Sequence, residues 1–219
     1  MKMKTTRSCA GNAKWVGALI CLLFCPRSVQ AQAPTPLDRV RTAGLDSALV
    51  GRVTVYFAPA DRAHATEMAA LLERAAAYFR DEFGRGFPLH LAVLAPTTWF
   101  DPYAGDFPAP YGMPWGWIPQ SLIAVPASLN EGILIDGADE AANLRRVRFV
   151  MLHEYGHLAA KAYLHPQGEQ LWSSVRWFEE MVATYFAYAF LAQSDPEWAR
   201  TGRQEWAAFI QRVIVKSCV

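Results

Sequence analysis

The sequence predicts an α+β fold: a small mixed sheet packed on a pair of helices, with a further helix towards the C-terminus. Three observations carry this. Segments that alternate β-branched or aromatic residues with others fall between residues 52 and 127. Three long segments of helical periodicity follow, between 138 and 215. Glycine and proline mark most of the joins. With 219 residues, 53% of them hydrophobic, the chain has enough apolar surface for one substantial core.

The elements follow in order. Residues 1–33 have the pattern of a secretory signal peptide. A basic stretch, MKMKTTRSCAGNAK, leads into an apolar run, WVGALICLLFC, and then PRSVQAQA, where Val29-Gln30-Ala31 and Ala31-Gln32-Ala33 are small-residue cleavage sites. The apolar run is shorter than the roughly 20 residues a helix needs to cross a bilayer. An uncleaved anchor is the alternative, and lipid attachment at Cys25 is disfavoured by the bulky Phe24 before it. The expectation is a secreted or periplasmic protein with no stable membrane span once the signal is cleaved. Cys9, Cys21 and Cys25 leave with the signal, and Cys218 remains alone, so no disulfide framework is expected. Removal of 1–33 leaves 16 of the 21 basic side chains against 20 acidic ones, which gives no basic patch and no reason to expect nucleic acid.

Residues 34–50 read as a proline-marked linker with at most a short helical turn, ahead of a single domain over 51–219. RVTVYFAP (52–59) reads as a strand. Residues 61–84 are rich in Ala, Leu and Glu and read as a helix with Asp61 as cap and Gly84 as stop. PLHLAVLAP (88–96) is a second strand. Residues 97–121 read as a long loop rich in proline and aromatics, and a loop of that length is often functional. SLIAVPA (121–127) is a third strand, placed at a sheet edge by Pro126. Helices are then expected over 138–164, over 173–193 with Ser173 or Ser174 as cap, and over 195–215 with Asp195 as cap and Pro196 in the first turn.

The chemistry lies in the first two of these helices. The run FVMLHEYGHLAA holds His153, Glu154 and His157 in an HExxH pattern. Residues four apart share a helix face, so His153 and His157 can reach one ion. Neutral imidazole is a good zinc ligand, and the neighbouring Glu154 can take a proton from a water held by the metal. The competing reading is a pair of core histidines in a metal-free module. Gly156 costs about 1 kcal/mol against alanine inside a helix, which calls for a packing reason such as close approach of another element. A third ligand is offered by WFEEMVATY on the next helix, as Glu180 or Glu179, since carboxylates are rare in so apolar a stretch unless paired or bound. The two point about 100° apart on the helix. Thr184, one turn on from Glu180, can hydrogen-bond a ligand or its own backbone.

HEYGH followed by WFEEMVA resembles the gluzincin metallopeptidases, the thermolysin and aminopeptidase N group, whose pattern is HExxH and then a glutamate within W-x-x-E-G-x-A. The resemblance covers about residues 145–190. It implies a zincin-like fold, Zn2+ held by His153, His157 and Glu180, Glu154 as general base, and hydrolysis of peptide bonds in a peptide or protein substrate. It also implies an edge strand that aligns the substrate backbone, with SLIAVPA in that place. Met181 departs from the family's glycine, and the gap from His157 to Glu180 is longer than usual. The family's downstream Tyr or His, which stabilises the transition state, has no clear counterpart. Tyr103, Tyr111 and Tyr188 are the candidates, each with packing as its other reading. The alternative function is a degenerate zinc-binding domain that binds peptides or partners without hydrolysis. Trp115 and Trp117 either line a cleft or cap the core. His64, His90 and His165 read as structural.

Overall fold

The computed structural model describes residues 33–103, 109–129, 131–132, 139–164, 176–204 and 207. The fold is α+β, built on a five-stranded mixed sheet. In chain order the elements are α1 (Pro36–Thr42), β1 (Asp46–Val50), β2 (Val53–Phe57), α2 (Arg62–Phe83), β3 (Leu89–Leu94), β4 (Trp115–Trp117), β5 (Leu122–Pro126), α3 (Glu140–Leu164) and α4 (Arg176–Ser194), and residues 196–204 form the described part of α5. The sheet order is β1-β2-β3-β5-β4. The β2–β3 and β3–β5 pairs are parallel, and the two outer pairs are antiparallel.

Alternation along the strands sends side chains to two faces. Val53, Val55 and Phe57 of β2, Leu91 and Val93 of β3, and Ile123 and Val125 of β5 form the main core with α2, α3 and α4. Tyr56, Ala92, Leu94, Leu122, Ala124 and Trp115 pack on the opposite face with Leu37 and Val40 of α1. Each fully buried Leu, Val or Phe contributes about 1.5–3 kcal/mol relative to exposure. The helix α3 is buried on most of its circumference, against the sheet on one side and α4 on the other.

The segment expected as a linker, 34–50, belongs to the fold. Thr35 and Asp38 cap α1 reciprocally, and Gln120 ties Thr35 and Leu37 to the turn after β4. The strand β1 then pairs with β2 along its whole length. Asp61 stands at the N-cap position of α2 but makes no capping bond, because a 3-10 turn over Pro59–Asp61 leads into the helix. Gly84 does end α2, in a left-handed conformation at φ 67°. Asp139 caps α3 through the Ala142 N–H at 3.0 Å, and Asp195 caps α5 through the Trp198 N–H at 3.0 Å.

Two further expectations are corrected. Residues 97–121 are not all loop, since they contain β4. The expected edge strand, β5, lies inside the sheet, with β4 outside it. Pro126 is tolerated there because β4 pairs only with residues 122–124, so no partner on that side needs a Pro126 N–H. Ser173, Ser174 and His165 lie outside the described residues, as do most of 205–215 and all of 1–32. Among the described residues no helix is long and apolar enough to cross a membrane.

Candidate metal centre

The helices α3 and α4 meet most closely at Gly156. A Cβ built there would stand 2.4 Å from the carbonyl oxygen and 2.7 Å from the Cα of Ala183. Only glycine lets the two backbones come this near, which is the packing reason the sequence called for. The close approach brings the residues flanking Gly156 on α3 within reach of those flanking Ala183 on α4.

Three ligand-type atoms converge at that contact. His157 Nε2 is 3.2 Å from His153 Nε2. Glu180 Oε2 is 3.0 Å from His153 Nε2 and 3.6 Å from His157 Nε2. Metal–ligand bonds of about 2.0–2.2 Å at tetrahedral angles require ligand atoms about 3.3–3.6 Å apart. One observed spacing, 3.6 Å, meets that range, and the other two, 3.0 and 3.2 Å, fall a few tenths of an ångström short of it, so a bound ion would spread the three atoms slightly. The nitrogens also leave a proton-sharing problem that an ion would resolve. His153 Nδ1 lies 3.0 Å from Thr184 Oγ1, and its Nε2 faces both the other imidazole and the carboxylate, only one of which a single Nε2 proton can serve. Thr184 thus serves His153, the first of its two expected uses. Glu180, and not Glu179, is the carboxylate on the histidines.

Burial is graded across the group. The His153 side chain is 8% exposed and that of Glu180 46%, so the cluster is closed on the α3 side and open at α4. The bond from His153, then that from His157, hold the Glu180 carboxyl well below the usual range. Burial pulls the His157 imidazole down, but the Glu180 bond and the charges of Glu154, Glu180 and Glu179 outweigh it, and the net shift is upward.

Glu154 faces the sheet edge. Loss of water pushes its carboxyl up, and the Glu180 charge acts the same way, while the two imidazoles and the Gly116 N–H oppose them. A Cβ on Gly116 would stand 3.0 Å from Glu154 Oε2. Gly116 pairs with Ile123 and so shares its face of the sheet, the α3 side, while Trp115 and Trp117 turn to the other. A side chain at 116 would occupy the space of the carboxylate. His153, Glu154 and His157 together offer one ligand atom each within 4.8 Å of one another, a group that can hold a metal ion.

The remaining candidates fall elsewhere. Trp115 is buried in the second core and Trp117 packs against it, which settles them as core cover. The Tyr111 hydroxyl accepts the Ser128 N–H at 3.1 Å, and its ring meets Trp99 edge-on. Tyr188 packs on Phe149 and under Arg203, two helical turns or about 12 Å along α4 from Glu180. Tyr103 alone of the three reaches the strand that carries Gly116, donating its hydroxyl to the Gly116 carbonyl. Neither Gly116 nor β4 was expected from the sequence. The available signal was a glycine between two tryptophans, since a glycine in a strand often marks close approach. The chain matches no family model, and no curated protein matches it significantly.

Proposed function

We propose that this chain is a zinc-dependent peptidase of the gluzincin type, with His153, His157 and Glu180 as metal ligands and Glu154 as general base. The observation that supports it most is the convergence of His153 Nε2, His157 Nε2 and Glu180 Oε2 within 3.0–3.6 Å, with the Glu154 carboxylate beside them. Zinc held there supplies Lewis-acid polarisation of a carbonyl and lowers the pKa of water towards about 7. Glu154 takes the proton from the attacking water as the C–O bond forms, and delivers it to the amine as the C–N bond breaks. Its raised pKa suits both halves of that transfer. Thr184 orients the His153 ring through Nδ1. The strand β4, not β5, is the edge on which an extended substrate would lie. The basic and apolar pattern of residues 1–33 supports a secreted or periplasmic site of action.

A second reading is a zinc-holding domain that binds peptides without hydrolysing them. It is favoured by the engagement of Tyr111 and Tyr188 in packing away from the cluster. Zinc content and peptide hydrolysis of the wild type, Glu180→Ala and Glu154→Gln test both readings. The peptidase reading expects near-stoichiometric zinc in the wild type, a sharp fall in Glu180→Ala, and zinc without hydrolysis in Glu154→Gln. Full activity of Glu154→Gln sinks it, and a wild type that binds zinc but cleaves no member of a peptide library leaves the second reading.

A further inference from the structure

The outer edge of β4 already has an occupant. In an antiparallel pair, alternate residues turn their N–H and C=O towards the partner strand and those between turn them outward. Gly116 is the middle residue of β4, paired with Ile123. Its carbonyl accepts the Tyr103 hydroxyl, so Gly116 is the residue that faces outward. Tyr103 is also held elsewhere. Its N–H is bonded to Asp101 Oδ1 at 2.9 Å, and its ring leans on Trp117 with centroids 5.9 Å apart. The side is nonetheless open to solvent, with Tyr103 38% exposed.

An edge strand is commonly covered so that it does not pair with stray chains. Here the cover stands at the one outward carbonyl of β4, on the residue whose missing side chain makes room for Glu154. An extended peptide that added to this edge would place a backbone N–H on that carbonyl and its own backbone next to Glu154. We propose that Tyr103 gates this edge: its hydroxyl stands in for the peptide N–H, and a peptide pairs with β4 only after the phenol has swung off the Gly116 carbonyl. The gate rests on the reading of β4 and the metal cluster as one peptidase site. It acts on backbone binding and leaves the metal ligands untouched.

The test uses the zinc-loaded full chain, as wild type and Tyr103→Phe, with three probes. Acetohydroxamate anchors on the metal and has no peptide backbone. A fluorescent tripeptide hydroxamate adds backbone N–H donors, and its N-methylated analogue lacks them. Loss of the hydroxyl bond is expected to tighten the tripeptide hydroxamate by about three- to tenfold, the worth of one ordinary hydrogen bond. Acetohydroxamate and the N-methylated probe are expected to bind both proteins equally, which also shows that the variant is folded with its centre intact. Unchanged or weaker binding of the tripeptide, with acetohydroxamate binding preserved, overturns the gate. A gain shared by the N-methylated probe overturns it too, since the effect would not run through a backbone N–H. If the wild type holds neither hydroxamate, the metal-site reading has failed, and the gate falls with it.

Discussion

The two faces of the sheet each carry histidine among aromatic and apolar side chains, and the difference lies in what the histidines face. On the outer face His90 Nδ1 meets the Tyr56 hydroxyl at 3.5 Å, with Arg41 on the same hydroxyl. Burial first, and then the Arg41 charge, push that imidazole down towards its neutral form. His64, on α2, is also pushed down by burial and bonds the Pro126 carbonyl at 3.3 Å. The hydrogen-bond partner of each is a neutral group. On the helical face His153 and His157 point their Nε2 atoms at each other and at a carboxylate, an arrangement that protons alone satisfy poorly. A half-buried histidine with a single carbonyl or hydroxyl partner is packing, whereas convergent imidazole nitrogens beside carboxylates mark a site.

The contrast can be broken most directly at the carboxylate. Glu154→Gln should lower kcat/KM on a cleavable peptide by about two to four orders of magnitude with zinc content unchanged. His90→Gln should leave both as they are. Equal losses in the two variants would erase the distinction between the faces.

The next largest effect is expected at the helix contact. Gly156→Ala puts a methyl 2.4 Å from a backbone oxygen that cannot move alone. Denaturant unfolding should show a loss of about 1–3 kcal/mol even after the helix propensity gain, with weakened zinc binding as α3 and α4 part. Wild-type stability with full zinc affinity would mean the close approach does not position the ligands.

Acidity should separate the faces as well. In the metal-free protein the His157 pKa is raised above its ordinary 6.5, so its contribution to stability is complete below 6.5 and is lost as pH rises through the folded value. The Glu180 pKa is lowered from 4.5, so its contribution is present above 4.5 and lost as pH falls. The pair therefore stabilises the metal-free protein most between 4.5 and 6.5. A metal needs neutral imidazole, so the zinc-induced gain in stability should grow as pH rises towards the folded His157 value and level off above it, by up to about 1.4 kcal/mol per pH unit for each proton released. A gain independent of pH would exclude His157 as a ligand.

The smallest effect tests the strand side. In Gly116→Ala the one tight contact is with the movable carboxylate end of Glu154, at 3.0 Å, while the Glu154 Cβ and carbonyl oxygen stay at an ordinary 3.5 Å, so unfolding free energy should change little. Displacing that carboxylate by a few tenths of an ångström should still lower kcat by up to about tenfold. A loss of stability without loss of turnover would make Gly116 a folding residue only.

Much of this was legible in the chain because it depends on local spacing. A helical period places His153 and His157 on one face whatever surrounds them, and alternating apolar residues mark β2 and β3 without knowledge of their neighbours. Gly156 announced a close approach through its propensity cost alone. Other features depended on which elements pack together. Glu179 and Glu180 are equivalent in composition; the resemblance to W-x-x-E-G-x-A favoured Glu180, and the direction from which α3 meets α4 puts that carboxylate on the histidines. The segment 34–50 carries a good capping box, yet its strand has a partner only because β2 lies beside it. The edge strand was misplaced because proline restricts a strand only where a neighbour needs its N–H, and the length of β4 decides that. Local periodicity is set by backbone geometry within a few residues. The meeting of Glu154 with Gly116, and of Gly116 with Tyr103, joins segments far apart in the chain, and only the packed structure brings them together.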